Sequence, residues 1–574
     1  MKTSNQDNAQ LLTAMKEIDT YVHGHLPAAA AYCRHLRVSE TIDTLIQSEM
    51  LTSPGQVVTA MVLDVLSGRS PLYHVKDFLS VQDRVLLLGE DMDPERFNDY
   101  TLARSLDAIA AYGTGRIVTE LGIKAVQLFQ LDTSAVSYDT TSTSVWGEYR
   151  NSSKEEEQTA PFITFGHSKD NQPQLKQFMT ELLCVDRGVP IFGKVLDGNS
   201  SDKTSNNKML TQISSLLAKH RLGPGAFVYV ADSAMVTEQN LKAIGDNRFI
   251  TRLPATYDAC KSAINHALAE KSWQELGALN EVPTSKKRPS AVYKACETQV
   301  TLHDMPFRAI VIHSSSHDKR RQKKLEKQIV QSLAEINKKL KKITAQYYCE
   351  ADAKTAAEKI EKYATRLHRV ITVVTSVDVR KIGRPPKDKP APTEIRYQLS
   401  WEVLENNEGI AEERESAGCF VLLTNVPNSG PDTLDSVGVL RTYKGQYGVE
   451  ADFAFLKDPL IVNDLFLKTP ARIDALGMIL IIALLIVRLM ELHMRRFLDV
   501  HDEVVIGLNN IKTKRPTYYA MTRAVMHIQV LLIGQSRFLK TPLSDRQSKF
   551  LKALGLDDTV FTDPECKPVI IPLD

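Results

Sequence analysis

Three carboxylates far apart in this chain stand in contexts that suit one metal site. Asp139 lies in "SAVSYDTTSTSV", Asp232 in "FVYVADSAM" and Glu450 in "YKGQYGVEADFAFLK". The first two contexts read as strands, one alternating and one a short apolar run ending in an acid. The third reads as a helix. On it Tyr443, Gln446, Tyr447, Glu450 and Lys457 fall at i, i+3, i+4, i+7 and i+14, which places them on one face. Val449, Phe453 and Leu456 form an adjacent apolar stripe able to dock that helix on a sheet. Phosphodiester chemistry needs charge neutralisation, a positioned nucleophile and alignment. A pair of divalent cations about 3.5–4 Å apart supplies these. Such hard cations take carboxylate oxygens and keep some waters. The expectation is three acids converging on a pocket that holds two cations.

The surrounding pattern predicts what must position them. Residues 1–130 read as a helical domain. "SETIDTLIQSEM" and "SPGQVVTAMVLDVLSG" are two amphipathic segments, the second capped by Ser53 with Pro54 in its first turn. The pair suits a DNA-touching helix-turn-helix or a purely structural helical domain equally. From 131 to 255 strands take over. After the Asp139 strand, "QFMTELLCVD" and "VPIFGKVLDG" read as a hairpin. "DKTSNNKMLTQISSLLAKH" then reads as a helix, "AFVYVAD" as a buried strand, "TEQNLKAIGD" as a helix and "RFITRL" as a strand. A hairpin followed by β-α-β crossovers predicts a mixed sheet flanked by helices, an α/β class.

Residues 256–416 break that pattern. "HDKRRQKKLEKQIVQSLAEINKKLKKI" has a near-heptad apolar seam and ten Lys or Arg between Lys319 and Lys342. It suits a solvated charged helix or a DNA-contacting arm. "RKIGRPPKDKPAPTE" reads as a Pro/Lys-rich linker, although its "GRPPK", with Arg384, also suits insertion into a minor groove. "CFVLLTN" returns to strand character, within a segment 417–470 that completes the core. Residues 471–574, including "RAVMHIQVLLIG", read as a helical C-terminal region.

The bulk composition is compatible with this and otherwise bland. The chain has 574 residues, 24% charged, with a formal net charge of +2. That length implies several domains. A near-neutral total leaves local asymmetry to decide what is bound. Seven scattered cysteines without a CxxC pair suit reduced thiols in the cytoplasm rather than a disulfide or zinc framework. The polar N-terminus has no signal-peptide core. The run "ALGMILIIALLIVRLMELHMRR" is uncharged over 475–487, short of the roughly 18 residues of a membrane span, and reads as a buried helix.

Taken together, these motifs resemble the DDE transposases of bacterial insertion sequences, in the subgroup with a Tyr-x2-Arg-x3-Glu-x6-Lys signature. Here the signature reads Tyr443, Gln446, Glu450 and Lys457. "YDTTS", "FGHSKDNQPQLKQF", "GVPIFGKVLDGNSSD", "VADSAMVTEQNL", "FITRLP", "CFVLLTN" and "FLKTPARIDALGMILIIALLI" agree, so the resemblance spans about residues 45–500. It implies an RNase H-like core interrupted by an insertion before the glutamate. It implies catalytic, metal-holding Asp139, Asp232 and Glu450, two Mg2+ or Mn2+ ions, and terminal inverted repeats of double-stranded DNA as substrate, cut and joined by a homodimer. Tyr443 and Lys457 match DNA-contacting positions. Gln446 replaces an arginine, losing a bidentate charged phosphate contact. Trp401 matches either a base-holding tryptophan or a core residue. His167 and Lys169 suit substrate contact or a tight turn, Asp197 and Asp202 suit loop caps, and Glu155, Glu156 and Glu157 suit a solvated turn. Rival functions on the same residues are a transposase-derived DNA-binding protein without catalysis and a stand-alone nuclease.

Overall fold

The computed structural model describes residues 18–68, 74–147, 149, 160–201, 205, 227–245, 247–279, 290–380, 393–430, 433–458, 467 and 469–571. The expectations for Glu155 to Glu157, Asp202, most of the helix over 202–220, and Arg384 lie outside them. The chain divides into two compact units, Met1–Thr251 with Asn425–Asp574, and Arg252–Thr424.

In the first unit, the described residues of 26–129 form helices joined by loops, as their periodicity predicts. Helix α1, Pro54–Ser67, begins at a capping box: the Ser53 side chain accepts from the Gln56 amide, and the Gln56 side chain accepts from the Ser53 amide. Nearly every residue of α1 is buried. It is therefore a core helix, and the helix-turn-helix alternative has no exposed recognition face here. Helices α2, Asp99–Tyr112, and α3, Thr114–Phe129, follow.

The sheet of this unit comprises β1, Ala135–Val145; β2, Lys176–Val185; β3, Val189–Leu196; β4, Val228–Ala231; and β5, Arg248–Arg252. Their spatial order is β3-β2-β1-β4-β5. β1, β2 and β3 are antiparallel neighbours, whereas β1, β4 and β5 run parallel. This is the mixed sheet that the hairpin-then-crossover pattern predicts. The tight turn between β2 and β3 runs through Asp186, Arg187 and Gly188, all with positive φ.

In the second unit four strands pair in the order β11-β8-β7-β6: β6, Gln274–Ala278; β7, Val292–Leu302; β8, Met305–Ser314; and β11, Cys419–Thr424. "CFVLLTN" thus belongs to this unit, held by the register Cys419↔His313 to Thr424↔Arg308. Helices α4, Ser315–Leu340, and α5, Glu350–Glu361, pack on a ribbon of two long strands, β9, His368–Arg380, and β10, Thr393–Glu405. β9 and β10 are antiparallel from His368↔Glu405 to Arg380↔Thr393. The Pro/Lys-rich stretch read as a linker therefore connects the two strands of one hairpin.

Helix α8, Pro470–Val500, is the spine of the first unit and packs on β3, α1, α2 and α3. It is the one helix among the described residues long and apolar enough to cross a membrane, and 89% of its apolar window is buried in protein. Beyond it the mostly helical reading holds in part and fails over "RAVMHIQVLLIG". Tyr518–Val525 is helical, but Val530–Ile533 is a strand paired with both Ile18–Tyr21 and Ser536–Leu539. Gly534, at φ +62°, makes the turn after Ile533, so the apolar run folds back as a hairpin instead of continuing a helix.

Near the start of α8 sits a buried acid, Asp474, accepting from the Thr114 hydroxyl at 2.9 Å and the Val195 amide at 3.4 Å. Burial pushes its carboxyl up to about 6, although those two hydrogen bonds oppose the shift. A carboxyl raised in the folded state contributes most below its unfolded value, and that contribution is lost as pH rises through about 6. Asp474→Asn is expected to melt higher than wild type at pH 8, by roughly 1–3 kcal/mol, with the difference vanishing below about pH 4. Thermal melts of both proteins across that window check it.

Candidate active site

Strand register brings the first two acids together. The last paired positions of β1 and β4 are Tyr138 and Ala231, so Asp139 and Asp232 follow at adjacent places on neighbouring parallel strands. Paired strands lie about 4.8 Å apart, which is within reach of two carboxylates sharing cations. Asp139 is partly buried at mid-strand. Asp232 ends β4 in extended conformation, and its Oδ1 accepts from the Ala234 amide at 3.0 Å, capping a short 3-10 turn. Tyr229, fully buried beside them, is pushed well above its usual range, by burial first and then by the charges of Asp232, Glu181 and Asp139.

The third acid arrives on a helix, but not the helix the spacing predicts. Residues 436–456 form two helices, α6, Ser436–Gly445, and α7, Tyr447–Leu456, with the chain turning at Gln446. Gly445 and Gly448 flank the break, and glycine is a weak helix former. Gln446 keeps right-handed helical φ/ψ, with i→i−3 bonds on either side of it, so the helix tightens there and the predicted face is unevenly presented. Gln446 is buried, Tyr443 partly buried, and Tyr447 and Glu450 exposed. With its amide inside the protein, Gln446 is not presented to a phosphate. Val449, Phe453 and Leu456 are buried, as the apolar stripe predicts.

Three anchors set where α7 lies on the sheet. At its start Gly448 meets the β2–β3 turn so closely that a Cβ would sit 2.1 Å from the Arg187 carbonyl oxygen. In its middle Asp452 accepts from the Cys184 thiol of β2 at 3.3 Å. Cys184 is registered against Ser137, which shares its strand face with Asp139. At its end Lys457 pairs with Asp170 at 2.6 Å. The helix that carries Glu450 thus packs on the face of β1 that carries Asp139. Gly448→Ala is expected to leave the fold intact but shift α7, lowering metal-dependent cleavage by on the order of 10–100-fold. Circular dichroism and single-turnover cleavage together read that split.

Lys169 sits closer to this chemistry than its place in a turn suggests. Its ammonium lies 4.0 Å from Asp139 Oδ1 and donates to the Thr140 carbonyl at 2.7 Å. Its neighbour Asp170 holds Lys457, so one short loop links the β1 acid to the end of α7. Asp197 accepts from the Phe162 amide at 2.7 Å, a loop-capping role, and His167 is exposed. Trp401 lies in the second unit, partly buried against Ile336, Leu340, Ala357, Ile360, Val370 and Leu399, as a core tryptophan would.

The sequence reading missed the charges beneath α7. Asp452 is fully buried, and burial pushes its carboxyl up to about 7 against the opposing pull of Arg488. Arg488 donates to both Asp452 and Glu491, and Glu491 also accepts from Arg495 and from the Tyr518 amide. The available signal was Arg488 and Glu491 three residues apart inside an otherwise apolar helix, where charges need partners.

Among the described residues, no three His, Cys, Asp or Glu side chains are grouped as a metal would require. The two-carboxylate set of Asp139 and Asp232 still suits magnesium, which is commonly held by one or two carboxylates together with water and phosphate oxygens.

Comparison with known families bears on the N-terminal region. The profile of a domain of unknown function, DUF4277, matches residues 15–123, which span α1 and α2 and most of α3. That domain is found in transposases of insertion elements. No curated protein matches the chain.

Proposed function

We propose that this protein is a DDE transposase, which cleaves the ends of an insertion element and transfers them into target DNA. The observation that carries the reading is the pair Asp139 and Asp232, at adjacent positions of neighbouring parallel strands beneath the helix that bears Glu450. The DUF4277 match over residues 15–123 points the same way. In this reading the sheet is an RNase H-like core, and residues 252–424 are its insertion.

Asp139 and Asp232 would hold Mg2+ or Mn2+, and Glu450 on α7 would complete the set. When bound, the cations neutralise phosphate charge and align the displacement. The residues of this chain do the rest. Lys169 offsets the paired carboxylates in the free protein, and Lys457, at the end of α7, contacts DNA phosphate once Asp170 releases it. Tyr443 adds a further contact. Cutting and joining two ends calls for two copies of the chain on double-stranded DNA, inside the cell.

The test is cleavage of duplexes carrying the element's terminal repeats, with and without Mg2+, by wild type and Asp232→Asn. Cleavage followed by joining supports the transposase. DNA binding without metal-dependent cleavage would instead identify a transposase-derived binding protein, and cleavage without joining a nuclease.

A further inference from the structure

Helix α4 carries an excess of positive charge that its own acids do not balance. Residues 318–342 contain ten Lys or Arg against three acids, in a chain whose total is only +2. Leu325, Ile336 and Leu340 face inward, the last two in a cluster with Ala357, Ile360, Val370 and Leu399. Lys319, Lys323 and Lys327, at i, i+4 and i+8, project from the opposite side with Arg320 and Lys324 beside them, and all five are exposed. Among the described residues no acid pairs with any of these five. Like charges four apart on a helix cost about 0.2–0.5 kcal/mol per pair. Lys319/Lys323, Arg320/Lys324 and Lys323/Lys327 are three such pairs. An external polyanion relieves all of them at once.

We propose that this outer face of α4 is a second nucleic-acid contact, seating the sugar-phosphate backbone of double-stranded DNA without reading its sequence. At 1.5 Å per residue the helix is about 39 Å long, roughly eleven base-pair steps of duplex. Over its first half, Lys319, Lys323 and Lys327 recur every four residues, about 6 Å, so they can meet successive phosphates rather than one anion. An anionic membrane fits less well. Interfacial helices insert an apolar side, and here that side already packs on the protein's own core. The inference takes its partner class from the transposase reading but does not depend on catalysis.

The experiment uses full-length protein and a duplex of arbitrary sequence, about 30 base pairs long, roughly three times the helix footprint. Wild type is compared with the triple variant Lys319→Gln, Lys323→Gln, Lys327→Gln over a range of salt. The variant is expected to bind on the order of 10–100-fold more weakly near 0.1 M salt. Its slope of log affinity against log salt should be shallower by about 2–3. Its melting temperature should be unchanged or slightly higher. The triple Lys→Arg variant keeps the charges and should bind like wild type. An unchanged affinity and slope in the Gln variant overturns the proposal. So does protein that ignores the duplex but binds phosphatidylserine vesicles through these lysines. Asp232→Asn, run in parallel, should keep full duplex affinity. Loss of cleavage there with binding intact, or the reverse pattern in the lysine variant, separates the fate of this surface from that of the active site.

Discussion

Asp232→Asn is expected to bind terminal-repeat DNA as wild type does and to lose metal-dependent cleavage by on the order of 10^3-fold or more, about 4 kcal/mol of transition-state stabilisation. Asparagine keeps an oxygen that can accept from the Ala234 amide, so the cap at the end of β4 survives and the strand stays in register. What changes is charge. Two carboxylates at neighbouring strand positions repel each other in the absence of cations, and in the free protein the ammonium of Lys169 lies 4.0 Å from Asp139 Oδ1. Such a pair is a cost to folding that cations repay. A readout independent of activity follows. Adding Mg2+ to wild type should raise its melting temperature, because a ligand that binds only the folded state stabilises it by about 2.7 kcal/mol at a hundred times its dissociation constant. Asp139→Asn and Asp232→Asn should each abolish that shift. Equal cleavage by wild type and Asp232→Asn, together with equal Mg2+ shifts, would sink the site.

How far the sequence anticipates this arrangement differs by feature, for physical reasons. The strands of the sheet are visible in it because buried β1, β2, β3 and β4 are apolar runs or alternations bounded by turns. Which strands neighbour one another is not, since periodicity reports burial and not partners. The adjacency of Asp139 and Asp232 comes only from the parallel register of β1 with β4. The helix of Glu450 is legible in type, while its break at Gln446 lies between two glycines, of which Gly448 meets the turn at Gly188. The Pro/Lys-rich stretch has linker composition, and composition carries no information on whether the flanking strands pair. The alternating "HRVITVVTSVDVR" and "TEIRYQLSWEVLE" on either side are the strand signal. The apolar run of α8 announces burial correctly, but its few charges read as helix surface until their partners are seen.

Those partners carry the second large expected effect. Arg488→Met should destabilise the first unit by about 3–5 kcal/mol, because it strands the fully buried Asp452 carboxylate and takes one charged donor from Glu491. Asp452 would keep only the weak Cys184 thiol donor. Glu491 would keep Arg495 and the Tyr518 amide but lose the fork that ties it to α7. Against a typical total of about 5–15 kcal/mol the loss is a large fraction, visible as a fall of many degrees in the thermal midpoint. The functional consequence separates this variant from a merely destabilised one. Arg488 joins α8, the spine of the unit, to α7, so below its melting temperature the variant should still cleave poorly, with Glu450 no longer held over the Asp139 face of β1. Asp452→Asn combined with Arg488→Met removes one stranded charge and should recover part of the stability but little of the cleavage. Arg488→Lys keeps the charge without the planar fork and should fall between the two. If Arg488→Met melts and cleaves like wild type, the buried pair neither supports the unit nor positions α7. If it loses stability while its folded fraction cleaves at the wild-type rate, the pair is structural only, and the Gly448 and Lys457 contacts suffice to hold Glu450 in place.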